Sequence, residues 1–212
     1  MRVLIFLLIA SGYLFAETLA EAKELYDQKE YTQAYEIYSK LASEGDTLAQ
    51  FNVALMLDFG FGVKKDAKEA MKWYYKAANS HHGPSQYNLA KHYDMDAATD
   101  ASAETKAKIW YEKACENEVA KACTNLALLY YNGGKTFKKN TPKALEFFVK
   151  GSEFGDSKAN LNLGIIYGWG DGSIQDRLKA YSYLKEALKT GEPKANEYLE
   201  TLCKETKWVC EE

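Results

Sequence analysis

The chain repeats itself at a nearly fixed period. Five segments align without gaps: AQFNVALML from Ala49, SQYNLAKHY from Ser85, ACTNLALLY from Ala122, ANLNLGIIY from Ala159 and ANEYLETLC from Ala195. Their starts lie 36, 37, 37 and 36 residues apart. A second series runs between them: AMKWYYKAA from Ala70, AKIWYEKAC from Ala107, ALEFFVKGS from Ala144 and AYSYLKEAL from Ala180, spaced 37, 37 and 36, with AYEIYSKLA from Ala34 preceding by 36. A period in this range is the signature of a solenoid, in which each unit buries its apolar face only against its neighbours.

Both series have helical spacing. Ala122, Leu126, Ala127 and Tyr130 recur at three- and four-residue intervals, as do Ala70, Trp73, Tyr74, Ala77 and Ala78. Each unit therefore reads as helix A, a loop and helix B. Alanines let neighbouring helices approach, and rings fill the gaps between them. Glycines mark the loops between A and B: Gly60 and Gly62, Gly133 and Gly134, and Gly168, Gly170 and Gly172. Asp66, Thr141 before Pro142, and Asp176 are the expected caps of B helices. Gly45, Gly155 and Gly191 stand where a left-handed helix stop is expected, and Pro193 suits the first turn of the last helix. The third unit departs, with a long acidic loop, DMDAATDASAE, from Asp94 to Glu104, readable as an insertion or as a recognition loop.

These residues resemble the Sel1-like repeat family, a branch of the tetratricopeptide helical repeats. The carrying motifs are Asn88-Leu89-Ala90, Asn125-Leu126-Ala127 and Asn162-Leu163-Gly164, the glycine-bearing loops, and the WYxKA of Trp73 to Ala77 and Trp110 to Ala114. Ala22, Tyr31, Ala34 and Tyr38 look instead like the small–aromatic order of a tetratricopeptide unit. The resemblance implies an all-α, right-handed α-solenoid of tandem helix-turn-helix repeats. The expected layout is a first repeat at 17–46, Sel1-like repeats at 47–82, 83–119, 120–156 and 157–191, and a capping helix with a disulfide at 192–212.

The amino terminus, MRVLIFLLIASGYLFA, sets the compartment. Arg2 precedes an apolar run, and small residues lead to Ala16 and then Glu17, the layout of a secretory signal over 1–16. A cut after Ala20 is the alternative. The run is too short for a bilayer span of about 20 residues, and no cysteine near the cut offers a lipid anchor. A periplasmic or secreted protein is expected. A net charge of −3, with no cationic face, does not point to nucleic acid.

Export gives the four cysteines an oxidising environment. In ACENEVAKAC, Cys115 ends one helix B and Cys123 opens the next helix A; Cys203 and Cys210 repeat the device at the carboxyl terminus. Local pairing is the simplest of the three connectivities open to four cysteines. Zinc sites prefer tighter pairs that converge, so no metal and no cofactor is expected. Glu118 stands where other units carry glycine, with the adjacent Asn117 able to turn left-handed. The spacing around Cys115 resembles the Helicobacter cysteine-rich protein family, secreted Sel1-like proteins with a paired cysteine at the helix turn. Here one internal repeat carries the pair.

That resemblance implies a link, carried by some members of the family, to penicillin binding or β-lactam hydrolysis. SYLK at Ser182 to Lys185, KTG at Lys189 to Gly191 and YYN at Tyr130 to Asn132 match the motifs of such enzymes. Those enzymes hold the motifs on separate elements that converge, whereas SYLK and KTG share one helix and its stop. Chance matches are the favoured reading, with no catalytic residue assigned. The three histidines, His81, His82 and His92, read as solvated or half-buried. Asn52, Asn88, Asn125 and Asn162 occupy one place in four consecutive A helices. An amide both donates and accepts, which suits the backbone of an extended peptide; it equally suits a bond to a neighbouring turn. Lys91 is a cation at a place otherwise held by Leu55, Leu128 and Ile165, able to meet a partner's carboxylate. The expected function is a non-catalytic scaffold holding a protein or peptide partner in the cell envelope, with a β-lactamase-like hydrolase as the alternative.

Overall fold

The computed structural model describes residues 18–170 and 175–211. The expected signal segment 1–16 and the loop residue Gly172 lie outside the described residues. All regular structure among the described residues is helical, and the fold is an all-α tandem repeat. The chain forms two compact units, Met1–Leu89 and Ala90–Glu212, with the boundary inside one helix.

The first unit holds α1 (18–27), α2 (Tyr31–Ser43), α3 (Thr47–Phe59), α4 (Ala67–Asn79) and the opening turns of α5 (Gly83–Asp96). Its alanines at the periodic positions, Ala22, Ala34, Ala49 and Ala70, are fully buried, and Tyr38, Tyr74 and Met56 fill the space their small side chains leave. Gly60 ends α3 in the left-handed conformation. Gly62 is also left-handed, and a Cβ there would strike the main chain of Tyr31. This close approach lets Phe61 stack on the Tyr31 ring at 5.0 Å. Asp66 caps α4, accepting from the Glu69 amide at 3.0 Å.

The second unit contains the rest of α5, then α6 (Ala101–Glu116), α7 (Ala120–Asn132), α8 (Thr141–Glu153), α9 (Ser157–Trp169), α10 (Arg177–Lys189), α11 (Ala195–Glu205) and a 3-10 turn, Lys207–Val209. Tyr111, Leu126, Phe148, Leu163, Leu184 and Leu202 form its buried interior. A Cβ on Gly164 would lie 2.6 Å from Leu184 Cγ, so glycine is what lets α9 and α10 pack here. Asp176 caps α10 by accepting from the Lys179 amide.

Several local expectations are corrected. The cap of α8 is Asn140, whose Oδ1 accepts from the Lys143 amide at 3.0 Å, and Thr141 is the first helical residue. The register shifts by one because the Asn140 side chain, three residues before Lys143, is the one that reaches its amide. Gly168 belongs to buried α9 rather than to the loop after it, and Pro193 precedes α11. The acidic stretch from Asp94 to Glu104 is not a long loop. Helix α5 runs on to Asp96, and α6 starts at Ala101 with Asp100 as its cap, leaving only a short turn between them. Glu104 turns inward, where it accepts from the Lys135 amide (3.0 Å), the Thr136 amide (2.7 Å) and the Thr136 hydroxyl (2.6 Å). Gly134 permits this, since a Cβ there would collide with the Glu104 carboxylate.

The turns from helix B to the next helix A share one backbone conformation. Gly45, Gly155 and Gly191 are left-handed, and so are His81 (φ 60°) and Glu118 (φ 60°) at the same register. Asn117, with φ −88°, is not the left-handed residue. A side-chain link eight residues long spans several of these turns. Gln50 donates to the Ala42 carbonyl and Gln86 to the Ala78 carbonyl. Cys115 bonds Cys123 at the corresponding pair of positions, and the Ser152 hydroxyl donates to Asn160 in the next. The disulfide is the covalent version of a clasp that neighbouring units make with hydrogen bonds.

Candidate functional site

The asparagine column lies on half-buried positions of the A helices. Asn52 Nδ2 donates to the Leu48 carbonyl at 2.9 Å, and Asn162 Nδ2 to the Lys158 carbonyl at 2.7 Å, both one turn back in their own helix. Asn125 Nδ2 donates instead to the buried Tyr111 hydroxyl at 3.1 Å. That hydroxyl in turn donates to Asp94 at 3.2 Å. The same three residue types recur one period earlier as Asp58, Tyr74 and Asn88, where burial, foremost, and then Asp58 push the Tyr74 pKa up, opposed by Asn88. One period later Phe148 takes the tyrosine's place, and Asn162 falls back on its own helix.

Burial raises the Asp94 pKa, against the bond from Tyr111 that favours its charged form. Asp94 and Tyr111 therefore form a partly buried polar link that fixes α5 to α6 and orients Asn125. The periodic asparagine was legible in the sequence. Its tyrosine and aspartate partners were not singled out, although Asp58 and Asp94, and Tyr74 and Tyr111, repeat at the same 36- and 37-residue spacing.

Lys91 is exposed on α5, and His92 is half-buried beside it. His82 is also half-buried. Its ring packs against Phe51 at 4.8 Å, and its Nδ1 lies 2.8 Å from the Ser85 hydroxyl. Burial lowers its pKa, so the neutral imidazole is favoured.

Cys115 and Cys123 are bonded with Cα atoms 4.7 Å apart, and Cys203 and Cys210 with Cα atoms 5.7 Å apart. Ser182 and Lys185 sit one turn apart on the exposed side of α10, and Lys189 reaches Glu186 at 3.4 Å. Tyr130 is on α7, nearly buried, and its hydroxyl donates to Glu112 at 3.0 Å. Ser182 and Lys185 thus share an open helix surface.

Comparison with known proteins places these features. The Sel1 repeat family model matches residues 25–46, 47–82, 83–119, 120–156 and 157–191. A crystal structure of a Sel1 repeat protein from Oxalobacter formigenes is 28% identical with a TM-score of 0.76, covering 85% of this chain and 75% of that one. A protective antigen present in uropathogenic Escherichia coli strains, displaying an SLR fold, is 28% identical with a TM-score of 0.71 over 80% of this chain. This chain spans 36% of that antigen's length. Cysteine-rich protein B of Helicobacter pylori is 26% identical, with a TM-score of 0.48 over 64% of this chain and 96% of that one. No curated protein sequence matches significantly. Sel1 repeat proteins generally serve as scaffolds for protein–protein interaction. With five matched repeats tiling residues 25–191, this chain belongs to the Sel1 repeat family.

Proposed function

We propose that the protein is an exported, non-catalytic scaffold that holds extended protein or peptide segments on its A-helix faces, with Asn52 and Asn88 as the amide contacts in the first unit, and Asn125 and Asn162, with Lys91 as a cationic contact, in the second. The observation that carries this reading is the asparagine recurring in four consecutive A helices at half-buried positions. The Nδ2 donors of Asn52, Asn125 and Asn162 are used inside the protein. Each Nδ2 keeps a second N–H and each Oδ1 is an acceptor, so the amides can both donate to and accept from a partner's backbone. Asn52 and Asn162 bond only their own helices, so replacing them by Ala disturbs the fold least. Cross-linking in the native envelope followed by mass spectrometry should recover a partner with the parent protein and lose it with Asn52→Ala/Asn162→Ala. Undiminished cross-linking by the folded double variant refutes the role of the column.

Two disulfides support an extracytoplasmic location, because reducing compartments do not maintain such bonds. The apolar leader pattern at 1–16 agrees with it. Sequencing the amino terminus of the exported protein tests the cut: Glu17 as first residue is expected, and an intact Met1 refutes it. The absence of catalysis is tested with nitrocefin: turnover that disappears in Ser182→Ala would replace the scaffold reading with a hydrolase.

A further inference from the structure

Within the second unit, the B helices α6 and α8 enclose a groove of about 640 Å³, well within the size range of binding sites. Its rim carries five carboxylates: Glu112, Glu116, Glu118, Glu146 and Glu153. Its only cations are Lys143 and Lys150, which leaves three negative charges in excess. Both lysines are already engaged. Lys150 meets Glu146 at 3.3 Å and lies 5.2 Å from the Phe147 ring. Lys143 lies 4.6 Å above the Tyr130 ring and 5.9 Å from Phe147.

Glu116 and Glu118 are exposed, and among the described residues their side chains make no hydrogen bond or ion pair. The floor is aromatic, with Phe147 half-buried and Phe154 still 38% exposed. Cys115 walls one side, and its bond to Cys123 closes the turn that carries Glu116 and Glu118. Glu118 holds the left-handed position that glycine takes in three other units, so this unit places a carboxylate there at some backbone cost.

The carboxylates are spread along the groove. Among the described residues no three His, Cys, Asp or Glu side chains come together as a metal would require. A single divalent ion is therefore a poor fit, and a row of spaced cations a good one. Nucleic acid and anionic lipid have the wrong sign. The half-buried Phe147 and exposed Phe154 rings ask in addition for an apolar side chain between the cations.

We propose that the α6–α8 groove docks a lysine- or arginine-rich segment of another protein, which places an aliphatic or aromatic side chain on Phe147 and Phe154 and its cations against Glu116 and Glu118. The site uses B helices and none of the asparagines, so it stands or falls separately from the A-helix reading. Charge complementarity sets the sign of the partner, and the rings set its register.

The test is fluorescence anisotropy of the full mature protein with a labelled peptide that alternates lysine and leucine, beside a glutamate–leucine counterpart. The lysine peptide should bind and the glutamate peptide should not. Affinity should fall about tenfold in Glu116→Gln/Glu118→Gln and weaken further as salt is raised. Phe154→Ala should weaken binding even at high salt, where the charges are screened, and Asn52→Ala/Asn162→Ala should bind as the parent does. Absence of lysine-peptide binding, equal binding of the two peptides, or affinity unchanged by the Glu116/Glu118 substitutions in a folded protein overturns the proposal. Sedimentation supplies the other check: self-association abolished by the same substitutions would make a second copy the occupant and likewise overturn it.

Discussion

Replacing Glu104 should destabilise the protein out of proportion to its place in what reads as an acidic surface stretch. Its side chain is buried at 8% exposure and accepts two backbone amides and one hydroxyl from the 135–136 turn. In Glu104→Ala these three donors lose their acceptor. An orphaned buried donor costs about 1–3 kcal/mol, and bonds to a charged acceptor lie at the strong end. Water can enter the space left at the rim, so the total should be about 2–4 kcal/mol. Glu104→Gln keeps one oxygen but turns an amino group toward donors, and should cost about 1–2 kcal/mol. Urea denaturation at neutral pH measures both, and amide exchange at Lys135 and Thr136 should accelerate in both.

The pH dependence adds an independent check. Burial pushes the Glu104 pKa up, but the bonds from Thr136 and Lys135 outweigh it and the net shift is downward. A depressed carboxylate contributes stability that is present above its unfolded pKa, about 4.3, and lost as pH falls through its folded one. Glu104→Gln should therefore lose less stability than the parent on acidification below about pH 4. An Ala variant within about 0.5 kcal/mol of the parent, the ordinary range for surface substitutions, would refute the reasoning.

Four further outcomes are expected. Removing the Cys115–Cys123 bond as a double Ala variant should cost about 2.5 kcal/mol by loop entropy for a separation of 8. Gln86→Ala, at the equivalent clasp, should cost only about 1 kcal/mol in the same urea assay. Tyr111→Phe should cost about 1–2 kcal/mol by stranding Asn125 and Asp94, and should shift the Asn125 side-chain NMR resonances. Because burial depresses the His82 pKa, its protonation opposes folding. Stability should fall as pH drops below the unfolded value of about 6.5, and His82→Gln should remove that part of the slope in thermal melts.

The repeat register was readable because stacked helices need small residues at fixed intervals. Ala49, Ala70, Ala107, Ala122, Ala144, Ala159, Ala180 and Ala195 are all fully buried. The caps at Asp66 and Asp176 were legible for the same local reason, since a helix start needs an acceptor within three residues. What the register hid was polar. Glu104 looked like part of a charged loop because its partners lie 31 and 32 residues ahead. The asparagines looked alike, yet Asn125 bonds the Tyr111 hydroxyl of the preceding helix while Asn52 and Asn162 bond carbonyls of their own helices.

The sequence by itself determined the helical repeat, the family and the pairs of cysteines near each other along the chain, because all three rest on short-range periodicity. Only the tertiary structure decided what the turns share. It put Glu118 in the left-handed slot of glycine, made the disulfide one of a series of eight-residue clasps, and gathered carboxylates of α6 and α8 around two phenyl rings. Those outcomes depend on which side chains face one another across a helix pair, and a linear period of 36 or 37 residues carries no record of that.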